Sequence, residues 1–322
     1  MTINQRLKHL YKEITHGAAG LQSALTADFD NVSAMENARA MQARHYADLN
    51  YPNKKQFLAF PSYTCMVDFA EQRGCKAVLE IGAGLSTAVW ASFAQRTGAD
   101  VCTLDASVAR MQAYVRNTSH EETVARHIKL VEGTTFHCDD LIAFYTDEPK
   151  QTYGGIDVAS LLDHLHLFQN PNCSIKRWHK VNRIAGRWDW SASELMTTDS
   201  SLILPRQLLD LFSAGKNFAN EISFLQGIDS QGKGGVIDKL TADGAHWDFI
   251  FFDSGELASM IEWPMLKDNI SIGGYAAFHD IYFPKSIKNI FPCAAVLADP
   301  DWEMVFCDDS TKQGLLIAQR LR

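Results

Sequence analysis

The sequence predicts an α/β fold: a doubly wound, mostly parallel sheet closed by a terminal antiparallel hairpin. Three observations carry that expectation. Short apolar runs alternate with helical stretches over residues 77–132, and the alternation resumes at residue 247. A glycine-rich turn, Gly82-Ala83-Gly84, separates the first apolar run from the first of these helices. Two closing apolar runs, Trp302 to Cys307 and Leu315 to Ala318, flank the polar stretch Asp308 to Gly314, which is hairpin patterning.

The elements follow in order. Residues 1–60 read as an N-terminal helical segment, because Met35 to Ala47 lacks Gly and Pro and is rich in good helix formers. Tyr51-Pro52-Asn53 is a turn. A helix starts at Pro61-Ser62, with Ser62 as a candidate cap, and runs to Gln72, with Gly74 at its C-terminus. The first strand is Ala77 to Ile81, followed by a helix from Ser86 to Gln95. A second strand, Asp100 to Leu104, ends at Asp105, and a helix over Val108 to Asn117 leads to a third, Ile128 to Glu132. Residues 141–240 break this rhythm and read as an insertion, with a flexible turn at Gln231 to Gly235. The sheet domain, residues 61–140 and 241–322, resumes with the strand Trp247 to Asp253 and a helix over Glu256 to Asp268. Gly273-Gly274 then leads into a fifth strand, Tyr275 to Phe278, which ends at His279-Asp280.

Composition bounds the function. A chain of 322 residues, 46% hydrophobic, buries a core without disulfides and is neither collagen-like nor mostly disordered. Its net charge of −8, from 30 Lys+Arg against 38 Asp+Glu, gives no broad basic surface, so nucleic acid is not an expected partner. No apolar run reaches the roughly 18 residues of a membrane span. The N-terminus, MTINQRLKHLYKE, lacks the apolar centre of a secretory signal. Seven widely spread cysteines with no CxxC pair read as reduced thiols, mostly small core residues, in a cytoplasmic protein.

The turn carries the chemistry. Glycines between a strand and a helix let a ligand approach the backbone. In Glu80-Ile81-Gly82-Ala83-Gly84-Leu85-Ser86-Thr87, Thr87 stands where a dinucleotide site has its third small residue. Glu80 is awkward beside a pyrophosphate and suits a cationic ligand. Asp105, about 20 residues beyond the turn at the end of the next strand, is placed to hold ribose hydroxyls.

These residues, with Trp247–Asp253 and Gly273–Asp280, resemble the class I S-adenosylmethionine-dependent methyltransferases. The resemblance covers roughly residues 60–140 and 240–322 and implies a Rossmann-like sheet. It implies that Gly82 and Gly84 line the methionine part of the cofactor, with Glu80 close by, beside its amino group or through water, and that Ser86 belongs to the cofactor site. Asp105 would bind the ribose, and Gly133-Thr134 would lie near the adenine. WDFIFFDSGE and GGYAAFHDIY are most similar to the O-methyltransferase-like branch. Several members of that branch hold a divalent ion at these two strand ends, which makes Asp253 and Asp280 candidate Mg²⁺ ligands. The sequence departs from the metal-using pattern in having Ile281 where some members have Asn. His279 is the candidate base, with capping of the strand or packing in the crevice wall as the alternative, and Asp253 is the second candidate catalytic group. Asp253-Ser254-Gly255-Glu256 stands where amino-group methyltransferases have Asn/Asp-Pro-Pro-aromatic, which favours an oxygen acceptor on a small molecule. Pro292-Cys293 follows the fifth strand, not the fourth, and is no match for cytosine-C5 enzymes.

The insertion of roughly 100 residues is the main departure from that family. It is a candidate substrate lid, substrate wall or contact between copies in a homo-oligomer. Its segment 176–190, KRWHKVNRIAGRWDW, interleaves basic and aromatic residues, which suits phosphate, carboxylate, a stacked ring or single-stranded nucleic acid. A solvated helix face with core tryptophans explains the same pattern. His164, His166, Cys173 and His179 lack a recognised zinc spacing, as does His137-Cys138-Asp139-Asp140. Two rival functions remain at this point: a nicotinamide-dependent oxidoreductase, and a non-catalytic module acting through the Trp/basic segment.

Overall fold

A computed structural model of the chain describes residues 60–116, 120–146, 152–157, 214–241, 244–255, 257–281, 288–308 and 314–322. The N-terminal segment, the segment 176–190, His164, His166, Cys173, His179 and Glu256 lie outside the described residues.

Helix α1, Phe60–Gln72, precedes β1, Ala77–Ile81. It begins before Ser62, which therefore sits buried inside the first turn and is not its cap. Pro61 is tolerated there because first-turn N–H groups have no intrahelical acceptor. The helix ends with Cys75 N–H donating to Ala70 O (3.0 Å), and Gly74 takes φ +70°. Helix α2, Leu85–Thr97, leads to β2, Asp100–Asp105. Two short helices, α3 (Val108–Val115) and α4 (His120–His127), precede β3, Ile128–Glu132. Helix α4 is not anticipated from the sequence, since HEETVARH has only Val124 and Ala125 as apolar residues.

After β3 come α5 (Cys138–Thr146) and a small antiparallel pair, β4 (Thr152–Tyr153) and β5 (Ile156–Asp157). Helices α6 (Ala214–Asp229) and α7 (Ile237–Thr241) return the chain to β6, Trp247–Phe252. The turn at 231–235 is not loose: Thr134 N–H donates to Lys233 O and Val236 N–H to Thr134 O, both at 2.9 Å. Helix α8 (Ser259–Leu266) is followed by a 3₁₀ turn and β7, Ile270–His279. The pair Gly273-Gly274 lies within β7, where an irregularity shifts the register against β6, and not before the strand. Helix α9 (Ile290–Ala298) and strands β8 (Trp302–Asp308) and β9 (Leu315–Arg320) complete the fold.

The other seven described strands form one sheet in the order β3-β2-β1-β6-β7-β9-β8. Pairs β3-β2, β2-β1, β1-β6 and β6-β7 are parallel; β7-β9 and β9-β8 are antiparallel. This is a Rossmann-like, doubly wound sheet with a terminal antiparallel hairpin. Its strands are apolar because helices cover both faces. Phe249 and Phe251 pack with Val78 and the α1–α2 side chains, whereas Ile250 and Phe252 pack with Leu79 and the α5, α8 and α9 side. The described end of the insertion joins the second cluster through Leu225, Val236, Ile237 and Leu240. Cys65, Cys75, Cys102, Cys138 and Cys293 are buried and form no disulfide. No described helix is long and apolar enough to cross a membrane.

Candidate active site at the carboxyl edge of the sheet

Chain order reverses between β1 and β6, so the crevice outside their carboxyl ends is the expected ligand position for this sheet. A cavity of about 480 Å³ lies there. The ends of β1, β2, β3 and β6 supply Gly82, Ala83, Asp105, Gly133, Thr134 and Asp253 to its walls. Of the sequence-predicted cofactor residues, Gly82, Asp105, Gly133 and Thr134 thus meet at one cavity, while Glu80, Gly84 and Ser86 are not among its walls.

The turn itself is tied down by its own chain. Asp105 Oδ2 accepts from Ala83 N–H (2.9 Å), and Oδ1 accepts from Ser107 N–H (2.6 Å). Gly84 N–H donates to Thr87 Oγ1 (3.0 Å), whose hydroxyl donates to Glu80 Oε2 (2.8 Å). Thr103 Oγ1 donates to the same oxygen at 2.7 Å. The N–H groups of Gly82, Ala83 and Gly84 all have acceptors within the protein, with Gly82 bonded to Leu104 O. A pyrophosphate site relies on free N–H groups at this turn.

Glu80 is fully buried. Burial pushes its carboxyl up from 4.5 to about 7, against the Ser86, Thr103 and Thr87 hydroxyls, which pull it down. Between those two values the folded protein holds a proton that the unfolded chain releases. Glu80 therefore contributes stability in full below about 4.5, and the contribution is lost as pH rises through about 7. Its size is on the order of 3 kcal/mol. Asp68, raised to about 6 by burial and by Glu71, acts with the same sign. Urea denaturation across this window is expected to show stability rising on acidification, with a smaller slope in Glu80→Gln. An unchanged slope would show that Glu80 does not titrate there.

The remaining walls come from elements that sequence motifs did not mark. Helix α6 contributes Asn220, Glu221, Phe224 and Leu225, and α8 contributes Glu262. Thr135 Oγ1 donates to Glu262 Oε1 at 2.8 Å, and Ser254 Oγ bonds Oε2. Burial raises the Glu262 carboxyl, against the Ser254 and Thr135 hydroxyls. A lone acid in the apolar stretch SMIEWPML was the signal available for this residue. Asp105, Glu221, Asp253 and Glu262 make the cavity acidic, and the described residues put no Lys, Arg or His on its walls.

Behind Asp253 lies a charged group that adjoins the cavity. His279 Nδ1 is 3.3 Å from Asp253 Oδ1 and 3.6 Å from Asp280 Oδ2. Lys288 Nζ is ion-paired with Asp253 Oδ1 and lies 3.7 Å from Asp280 Oδ2. Tyr63 OH donates to Asp253 Oδ2 at 3.0 Å. Burial pushes the Asp253 carboxyl up, but the Lys288 ammonium and His279 outweigh it and hold the carboxyl well below the usual carboxylate range. Burial, then Asp253 and Asp280, raise the Tyr63 phenol. Asp280 has φ +60°, a conformation that Asp tolerates better than most residues. His279 is 1% exposed, and its Nε2 is buried with no hydrogen-bond partner among the described residues. Lys288 and Tyr63 had no local sequence signal.

No family model matches the chain, and no curated protein matches it. Among solved structures, one described as an O-methyltransferase from Bacillus cereus in complex with SAH is similar. It shares 11% identity over 89% of this chain and 90% of that chain, with a TM-score of 0.37. A likeness at that level carries no functional argument; the fold rests on the strand order above.

Proposed function

We propose that the chain is an S-adenosylmethionine-dependent methyltransferase acting on a small-molecule oxygen nucleophile. The observation that carries this reading is the acidic cavity at the switch point of the sheet, with Asp105 at the end of β2. The cofactor combines a ribose diol with a cationic methionine end. Asp105 would hold the diol, since its carboxylate stands at the end of β2 on the cavity wall. Thr134 and Phe136 lie on the side toward β3, where the resemblance puts the adenine. A cationic ligand suits walls bearing Asp105 and Glu221. A dinucleotide suits them poorly, and the turn N–H groups that would take its pyrophosphate are already bonded.

When bound, the cofactor supplies a methyl group on a sulfonium. Catalysis by this chain would then come mainly from alignment of the acceptor oxygen with that methyl. Asp253, on the cavity wall, would accept a hydrogen bond from the acceptor hydroxyl and orient it. Its depressed pKa makes it a weak base, so it would orient the acceptor hydroxyl, whose proton would leave to solvent through the open side of the cavity as the O–C bond forms. His279 supports that charge from behind. A buried Nε2 favours a positioning role for His279 over direct proton abstraction.

Titration calorimetry with S-adenosylmethionine, S-adenosylhomocysteine and NAD⁺ tests the reading. The expected result is micromolar binding of the two adenosyl ligands, about tenfold or more weaker in Asp105→Ala. NAD⁺ is expected not to bind. Adenosyl binding that is absent, or untouched in a folded Asp105→Ala protein, would overturn it.

A further inference from the structure

Asp253, His279 and Asp280 have the donor chemistry of a divalent-cation site, with one ligand atom from each lying within 4.8 Å of the others. As they stand, these residues do not fit a divalent ion, because a cation is already among them. Lys288 Nζ bonds Asp253 Oδ1 and approaches Asp280 Oδ2 at 3.7 Å. Those two oxygens are also the ones that face His279 Nδ1.

The lysine is built into the site. Its side chain is 7% exposed. The neighbouring Asn289 is fully buried, and its Nδ2 donates to Phe252 O (3.1 Å) and His279 O (2.5 Å), the last residues of β6 and β7. The backbone at 288–289 is thereby pinned to the two strand ends that carry the carboxylates. A buried ammonium needs paired acceptors, and a buried carboxylate pair needs a cation. A divalent ion placed between the same oxygens would meet the ammonium at close range.

We propose that the Lys288 ammonium is the resident cation of this site and takes the place of a divalent ion. The proposal concerns the chain's own side chains and does not rest on the methyl-transfer reading. Its consequence is that chemistry at Asp253 is insensitive to chelators.

Mn²⁺ titration followed by electron paramagnetic resonance tests it without any turnover assay. Wild type is expected to show no saturable Mn²⁺ site below about millimolar concentration. Lys288→Ala is expected to gain one site, at least about tenfold tighter than anything in wild type, and Mn²⁺ is expected to raise the Tm of this variant alone. Adding Asp253→Asn to Lys288→Ala is expected to abolish the gained site. Tight Mn²⁺ binding by wild type that Asp253→Asn removes would overturn the proposal. So would a folded Lys288→Ala protein that binds no tighter than wild type. Where Lys288→Ala does not fold, the wild-type titration decides by itself.

Discussion

Gly82→Ala is expected to destabilise the fold strongly. Gly82 has φ +93°, and a Cβ there would stand 2.3 Å from Asp253 O, 2.6 Å from Asp253 C and 2.8 Å from Ser254 N. All three obstacles are backbone atoms. They cannot retreat freely, because Asp253 N–H is bonded to Ile81 O (2.9 Å) and Gly82 N–H to Leu104 O (2.8 Å). Strain and overlap together are expected to cost on the order of 4 kcal/mol, a large share of the stability of a typical domain. Gly84→Ala is the contrast. Gly84 has an extended φ of −169°, and its Cβ would meet nothing within 4 Å. It is expected to cost about 1 kcal/mol or less. Urea denaturation of both variants measures the difference, and equal stabilities would refute the close packing of this turn on the end of β6. The two glycines of one motif thus have different reasons. The first is demanded by the protein's own backbone, and the second leaves open space.

Lys288→Met is expected to destabilise the fold by about 3–5 kcal/mol, the usual cost of stranding one partner of a buried ion pair. The stranded group is Asp253, 12% exposed, beside the second carboxylate of Asp280. In wild type the depressed Asp253 carboxyl contributes stability above the ordinary carboxylate range, lost only as pH falls through its lower folded value. Without Lys288 the sign reverses locally, since protonation removes the stranded charge. The deficit of Lys288→Met is therefore expected to be largest near neutral pH and to shrink on acidification. Asp253→Asn in the same background is expected to recover much of the loss, giving a strong coupling in a double-mutant cycle. Additive single effects would show that the ion pair contributes little to stability.

Several local expectations met a tertiary answer. The apolar runs at 77–81 and 100–105 are strands covered by helices on both faces, whereas those at 128–132 and 302–307 form the sheet edges and carry exposed Lys129, Glu303 and Met304. Ser62 looked like a cap from its neighbours, yet Phe60 already lies in the helix. Gln231 to Gly235 looked loose from its composition, yet its backbone is bonded to Thr134.

By itself the sequence determined the alternation of strands and helices, the glycine turn after β1 and the acid at the end of β2. Each of these is written in neighbouring residues, through side-chain period or turn chemistry. The tertiary structure decided what surrounds Asp253. Tyr63 reaches it from 190 positions away and Lys288 from 35, and Thr135 reaches Glu262 across 127. Parallel strands are joined by long crossovers, so residues that meet at one sheet edge are far apart in the chain. No local period marks such partners. For that reason two strand-end carboxylates resemble a metal site in the sequence and stand around a lysine in the structure.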